Sequence, residues 1–274
     1  MKDAHVAPAR RRGHDRLPMK PQRIVSLVPS TTESVCAFGA AERLVGCTRY
    51  CEHPASALAN VARVGGTKNP KRDAIAQLEP DLVLCNAEEN REEDIEWLRA
   101  RAPVLVQSPC TVAQAAASLE ELGGALGCEE TAAQFVAALG REIAAPPPAR
   151  RIKAFYAIWK KPWMSVGATT YIHDVLRLAG FDNVCAGASS RYPETLPEEV
   201  AALRPEVVLL PDEPWVFDEQ QLRELAASGP FSAATLLLCS GRDFCWHGVH
   251  AATGLHRARA LALAASQKFA AGGA

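Results

Sequence analysis

Asp73-Ala74-Ile75-Ala76-Gln77-Leu78-Glu79-Pro80-Asp81-Leu82-Val83-Leu84 returns later in the chain as Glu198-Glu199-Val200-Ala201-Ala202-Leu203-Arg204-Pro205-Glu206-Val207-Val208-Leu209. Each copy reads as a short helix, a turn marked by proline, and a strand apolar enough to be buried on both faces. Two copies at similar depth in the two halves predict two related units, each with a parallel sheet and crossover helices.

Around the first copy, residues 23–28 read as a buried strand, and Ser30-Thr31-Thr32-Glu33 as a capping box opening a helix that stops at Gly39. Strands at 44–47, 81–85 and 103–106, with helices at 73–78 and 91–101, complete an N-terminal unit over 21–110. A helical stretch follows from 111 to 143, with Leu119, Leu122, Leu126, Phe135, Val136 and Leu139 on one face. Gly123-Gly124 and Gly127 are places where it can bend, and Pro146-Pro147-Pro148 closes a linking segment over 111–148. Residues 149–274 form the second unit: strands at 152–158, 207–210 and 236–239, a helix capped by Thr169 and ended at Gly180, helices at 198–203 and 218–227, and a final helix from 253. The expected fold is therefore α/β, two Rossmann-like lobes with parallel sheets joined by one long backbone helix. Ligands of open α/β sheets bind at the C-terminal ends of strands, and a cleft between lobes is the expected pocket.

Composition excludes several classes. Of 274 residues, 48% are hydrophobic and 22% charged, with a formal net charge of -1. That balance gives no general pull toward nucleic acid or an acidic membrane surface. The longest apolar runs are strand-sized, far short of the ~18 residues of a membrane span, so no integral membrane segment is expected. Arg10-Arg11-Arg12 is followed by no apolar signal core. Residues 1–20 read as a disordered basic tail, and the chain as written would stay in the cytoplasm. Nine cysteines without regular spacing do not make a disulfide framework. There is no Gly-x-Ser-x-Gly elbow, Walker loop or dinucleotide fingerprint, and no enzyme is expected; a thiol-dependent enzyme built on Cys51 is the remotest of the readings.

Aromatic and polar residues near strand ends are the candidate site. Tyr50, Trp159, Trp163, Trp215 and Trp246 offer flat apolar platforms. Glu88-Glu89-Asn90 and Arg191-Tyr192 stand where they can hydrogen-bond amides or carboxylates. Cys51 with His53, and Cys245 with His247, are candidate soft-metal ligands, although their spacing fits no zinc signature. His250 and His256 lie near the second pair.

Arg23-Ile24-Val25-Ser26-Leu27-Val28-Pro29-Ser30-Thr31-Thr32-Glu33 resembles the opening of the periplasmic iron–siderophore and cobalamin receptor domain. Arg49-Tyr50-Cys51-Glu52-His53-Pro54, Val64-Gly65-Gly66-Thr67-Lys68-Asn69-Pro70, Glu88-Glu89-Asn90-Arg91 and Trp159-Lys160-Lys161-Pro162-Trp163-Met164-Ser165-Val166-Gly167 are similar to the helical-backbone metal-receptor branch. The resemblance spans roughly residues 23–268. It implies the substrate-binding component of an ABC importer, periplasmic and monomeric, that needs no cofactor and holds cobalamin or another metal chelate. Gly66 and Thr67 join the ligand-binding candidates on this ground. It also implies that one acidic residue per lobe, Asp73 and Glu198, meets arginines of the permease. The alternative is a cytoplasmic metal-binding or metal-sensing protein using the Cys/His ligands on the same scaffold.

Overall fold

The structure is a computed structural model that describes residues 20–229, 231 and 233–271. The basic tail expected over 1–20 lies outside the described residues, save Lys20. The chain divides into two compact units. The first runs to Ser108 and takes in Glu121–Ala132; the second comprises Pro109–Glu120 and the chain from Ala133 onward.

In the first unit, β1 (Ile24–Ser26) is followed by α1 (Pro29–Ala37), β2 (Leu44–Cys47), β3 (Ala62–Arg63), α2 (Arg72–Gln77), β4 (Leu82–Asn86), α3 (Glu92–Arg99) and β5 (Val104–Gln107). The strands form one sheet in the order β3-β2-β1-β4-β5, and its pairings are parallel. Val25, Leu27, Val83 and Cys85 pack with Ile75 of α2 and with Ile95 and Leu98 of α3 in one core cluster. Burial of each such aliphatic side chain contributes about 1.5–3 kcal/mol before entropy is counted.

α1 begins one residue before the expected capping box. Pro29 occupies its first turn, Val28 is the N-cap without a side-chain bond, and the Ser30 hydroxyl has no partner. Proline suits the first helical position because it lacks only an N–H that would be unpaired there; this overrides the Ser/Glu pattern.

The single long helix expected over 111–143 is two helices, α4 (Val112–Leu126) and α5 (Glu129–Ala144). Gly127 has φ +64°. The Cys128 N–H bonds to Gly123 O at 2.8 Å, and the Gly127 N–H to Gly124 O at 3.3 Å. This is the Schellman pattern that ends a helix at a left-handed glycine. A Cβ added at Gly123 would lie 2.4 Å from the Ala132 methyl, so the turn also needs a bare backbone there.

The second unit holds β6 (Ile152–Tyr156), β7 (Trp159–Lys160), β8 (Trp163–Met164), α6 (Tyr171–Ala179), β9 (Phe181–Asn183), β10 (Glu194–Thr195), α7 (Pro197–Ala202), β11 (Val207–Pro211), α8 (Glu219–Ser228), β12 (Thr235–Cys239), α9 (Gly241–Cys245) and α10 (Ala251–Ala271). Its main sheet is parallel, in the order β12-β11-β6-β9. A small antiparallel sheet, β10-β8-β7, was not foreseen; its two-residue strands are too short to carry a period. The cap of α6 is Thr170, accepting from the His173 N–H, rather than Thr169, and Gly180 ends that helix at φ +106°.

The echoed segments are structurally equivalent. α2–β4 and α7–β11 are each joined by a non-glycine residue with positive φ, Glu79 at 44° and Arg204 at 52°. In both, the following proline bars a further right-handed residue. Asp81 then accepts the Arg23 N–H at 2.8 Å, while Glu206 accepts the Lys153 N–H at 3.0 Å. The carboxylate thus caps the neighbouring strand at the same register in both units.

Candidate functional site at the strand ends

In the first unit, the loops after β1, β3 and β4 are tied together at the C-terminal end of the sheet. Asn90 is buried, and its amide donates to Leu27 O at 3.3 Å and Thr67 O at 3.0 Å, while its carbonyl accepts the Asn86 N–H at 2.8 Å. Asn86 in turn accepts the N–H groups of Glu88 and Glu89. Asn90, expected to meet a ligand, is therefore engaged with the protein itself and braces three loops. Thr67 contributes its carbonyl to that brace, and Glu88 and Glu89 stand half-buried above it.

Tyr50 projects from this surface with 49% of its area exposed. Arg49 lies over its ring at 4.9 Å and donates to its hydroxyl at 2.9 Å. A Cβ on Gly66 would sit 3.3 Å from the Tyr50 ring and 2.4 Å from Asn69 Oδ1, so a larger residue there would have to displace the Asn69 amide and crowd the ring. The pairing of Arg49 with Tyr50 was passed over in the sequence, although their adjacency was visible.

In the second unit, Trp159 follows β6 and Trp215 follows β11, so both rings stand at the C-terminal ends of neighbouring parallel strands. They meet edge to face with centroids 5.0 Å apart, and both are half-buried. Gln221, in the first turn of α8, accepts from Trp215 Nε1 at 3.2 Å and from Lys160 Nζ at 3.5 Å. The Asp218 cap that accepts the Gln221 N–H at 2.8 Å fixes it there. Gln221 was not singled out in the sequence, where a glutamine near a helix start carries no signal.

Trp163 is half-buried too, but its partners differ: it stacks on Phe217 at 5.9 Å and packs against Phe155 and Phe231, on the core cluster against which Trp215 also packs. Trp246 lies beneath the Arg242 guanidinium at 4.1 Å, and Glu213 accepts from Cys245 Sγ at 3.3 Å. Burial pushes the Glu213 carboxyl above its usual range. Arg191 reaches Cys110 Sγ at 3.5 Å and lies 5.8 Å from the Tyr192 ring, in the loop before β10.

These placements give the metal reading no support. Cys51 is buried beside Cys47, Thr32 and Thr48, whereas His53 two residues on is exposed. Cys245 bonds to Glu213, and His247 is buried edge-on to Tyr171. Among the described residues no three His, Cys, Asp or Glu side chains converge to hold a metal ion.

His247 has a consequence for stability. Burial depresses its imidazole to about 4, while the unfolded chain titrates near 6.5. Between these values the unfolded state binds more protons, so stability falls as pH drops from about 6.5 to about 4. The contribution is on the order of 3 kcal/mol. Urea unfolding of the wild type and His247→Gln should show the wild type losing more stability between pH 7 and 4.5; parallel curves would refute this.

Asp73 and Glu198 lie exposed in the first turns of α2 and α7, at the same position of the echoed segments. Among the described residues no helix is long and apolar enough to cross a membrane.

Two α/β units, each with candidate binding groups at the ends of parallel strands, define a binding-protein fold. The periplasmic binding protein profile matches residues 24–227, and the chain belongs to that family. It is 25% identical over 192 residues to the vitamin B12-binding protein of Vibrio parahaemolyticus, covering 68% of this chain and 70% of that one. It is 27% identical over 197 residues to the vitamin B12-binding protein of Yersinia pestis, covering 69% of each. Among solved structures, the periplasmic vitamin B12-binding protein BtuF of Vibrio cholerae superposes with TM-score 0.76 at 20% identity, over 91% of this chain and 99% of that one. The periplasmic heme-binding protein BhuT, solved with two hemes, gives 0.74 at 24% identity over 88% and 98%. These structural likenesses speak for the fold. The family is one of binding proteins.

Proposed function

We infer that this chain captures a metal chelate, a corrinoid, heme or ferric siderophore, and presents it to an ABC permease as the importer's substrate-binding component. The observation that carries this reading is the Trp159–Trp215 pair at the ends of adjacent parallel strands, braced by Gln221 and half open to solvent. Flat apolar macrocycles need rigid aromatic area with a few polar groups at its margin. A chelate arrives with its metal already coordinated, so the protein supplies platforms instead of a ligand set. Arg191, Tyr192, Glu88 and Glu89 are the polar groups suited to the amides and carboxylates at a macrocycle's edge. The names of the curated relatives favour a corrinoid.

A heme reading has one observation in its favour. Tyr50 offers an exposed phenol beside a guanidinium, and a tyrosine can serve as an axial ligand of heme iron. By its family, we place the working compartment in the periplasm, with Asp73 and Glu198 facing the permease.

Parallel calorimetric titrations with cobalamin, cobinamide, hemin and a ferric siderophore test the reading. One of the four should bind at one per chain and raise the melting temperature, since ligand at 100 times Kd stabilises the folded state by about 2.7 kcal/mol. Four flat titrations with unchanged melting would overturn it.

A further inference from the structure

We propose that Glu213 is the positioning residue of the aromatic platform: its side chain, seated against Gly241 and Cys245, sets the loop that holds the Trp215 ring on Trp159. Its part in binding rests on the chelate reading of that platform, while its hold on the ring depends on contacts within the second unit alone.

The two units brace the same loop by different means. β4 (Leu82–Asn86) and β11 (Val207–Pro211) are equivalent strands of the echoed segments. Two residues past each strand stands a glutamate, Glu88 or Glu213, and four residues past stands Asn90 or Trp215. In the first unit, Asn90 both donates and accepts, tying its loop to Leu27, Thr67 and Asn86. A tryptophan in that place cannot do so, because an indole has one donor and no acceptor.

The second unit moves its brace upstream of the ring. Asp212 Oδ1 accepts the Gly241 N–H at 2.7 Å, and the Asp212 N–H donates to Cys239 O at 3.2 Å. Glu213 Oε1 accepts from Cys245 Sγ at 3.3 Å. A Cβ on Gly241 would lie 2.5 Å from Glu213 Cγ and 2.6 Å from its backbone oxygen. The loop after β11 therefore rests directly on the turn after β12, and the bare glycine is what admits the glutamate. Only Pro214 separates this seat from Trp215. On the far side of the ring, the Phe217 N–H returns to Pro211 O at 3.1 Å. Gln221 accepts from Trp215 Nε1 and donates to Val216 O at 2.8 Å. The ring is thus held downstream by α8 and upstream by Glu213. Burial raises the Glu213 carboxyl and so favours its neutral form. A glutamine can take that seat; an alanine leaves it empty.

The first readout needs no ligand. Indoles in edge-to-face contact couple as an exciton pair, and the part of the circular dichroism that disappears in Trp159→Phe is the signal of this pair. Glu213→Ala should lose that signal, and so should Gly241→Ala, whose new methyl pushes Glu213 off its seat. Glu213→Gln should keep it. Denaturant melts show which variants are folded, and either folded alanine variant decides. The full pair signal in a folded Glu213→Ala or Gly241→Ala would overturn the proposal, as would a loss in Glu213→Gln equal to that in Glu213→Ala. Titration of the same variants with the chelate that binds the wild type is the second readout. Affinity should fall about tenfold in the alanine variants, where the ring is displaced but not removed, and stay within about twofold in Glu213→Gln. Loss of the pair signal with affinity unchanged would uphold Glu213 as the residue that places the ring and remove the platform from the proposed function.

Discussion

Replacing Trp159 and Trp215 together by alanine is expected to weaken chelate binding by at least about 30-fold, the equivalent of one interface hot spot of ~2 kcal/mol. The two rings are half-buried and are held by Gln221 and by their edge-to-face contact, and Trp215 also rests on the core cluster, so affinity is read on variants shown to be folded. Trp163→Ala is the internal control. That ring is packed among Phe155, Phe217 and Phe231, so its removal should cost about 3 kcal/mol of stability with little change in affinity once the variant is folded. Calorimetry and denaturant melts on the three proteins separate the two roles. Equal loss of affinity in both sets, or none in the double variant, would remove the platform from the account.

Reversing Asp73 and Glu198 to arginine is expected to cut importer function by about 100-fold or more, because facing like charges at an interface cost several kcal/mol. Both residues are exposed in first helical turns at equivalent points of the two units, so the stability change should stay within about 0.5 kcal/mol. Ligand affinity should be unchanged within twofold. The readout is ligand-dependent ATPase stimulation and uptake by the reconstituted permease. Unaltered stimulation by the double variant would refute the docking assignment.

Much of the fold was legible because the repeated helix-proline-strand segment has no freedom to be anything else. Leu82-Val83-Leu84 and Val207-Val208-Leu209 are apolar on both faces, as only a central parallel strand requires. Each proline follows a residue forced to positive φ. The carboxylates at Asp81 and Glu206 were written in the echo too, but their role in capping the adjacent strand depends on residues about 55 positions away and emerges only from the register. The break between α4 and α5 was marked by Gly127, yet Gly123, Gly124 and Gly140 sit inside the two helices and look no different in the sequence. Only the bonds from Cys128 and Gly127 decide it.

The site was legible by residue type and not by contact. Trp159, Trp163 and Trp215 look alike in the sequence and are all half-buried, and nothing local says that Trp163 packs against Phe155, Phe217 and Phe231 while Trp159 and Trp215 pack against each other. Asn90 was noticed for its polarity, but its partners Leu27 and Thr67 come from loops 63 and 23 residues away, and only Asn86 is local. Cys51 and His53 looked like a ligand pair because they are close in sequence. In extended chain, neighbours two apart share a face, but the turn at Thr48–Cys51 sends one sulfur inward and leaves the imidazole outside.

The most direct measurement is a crystal structure with whichever chelate titrates most tightly. The account predicts the macrocycle lying against the Trp159–Trp215 face of the second unit. A macrocycle bound away from both rings, with Trp159 and Trp215 unchanged in exposure, would contradict it.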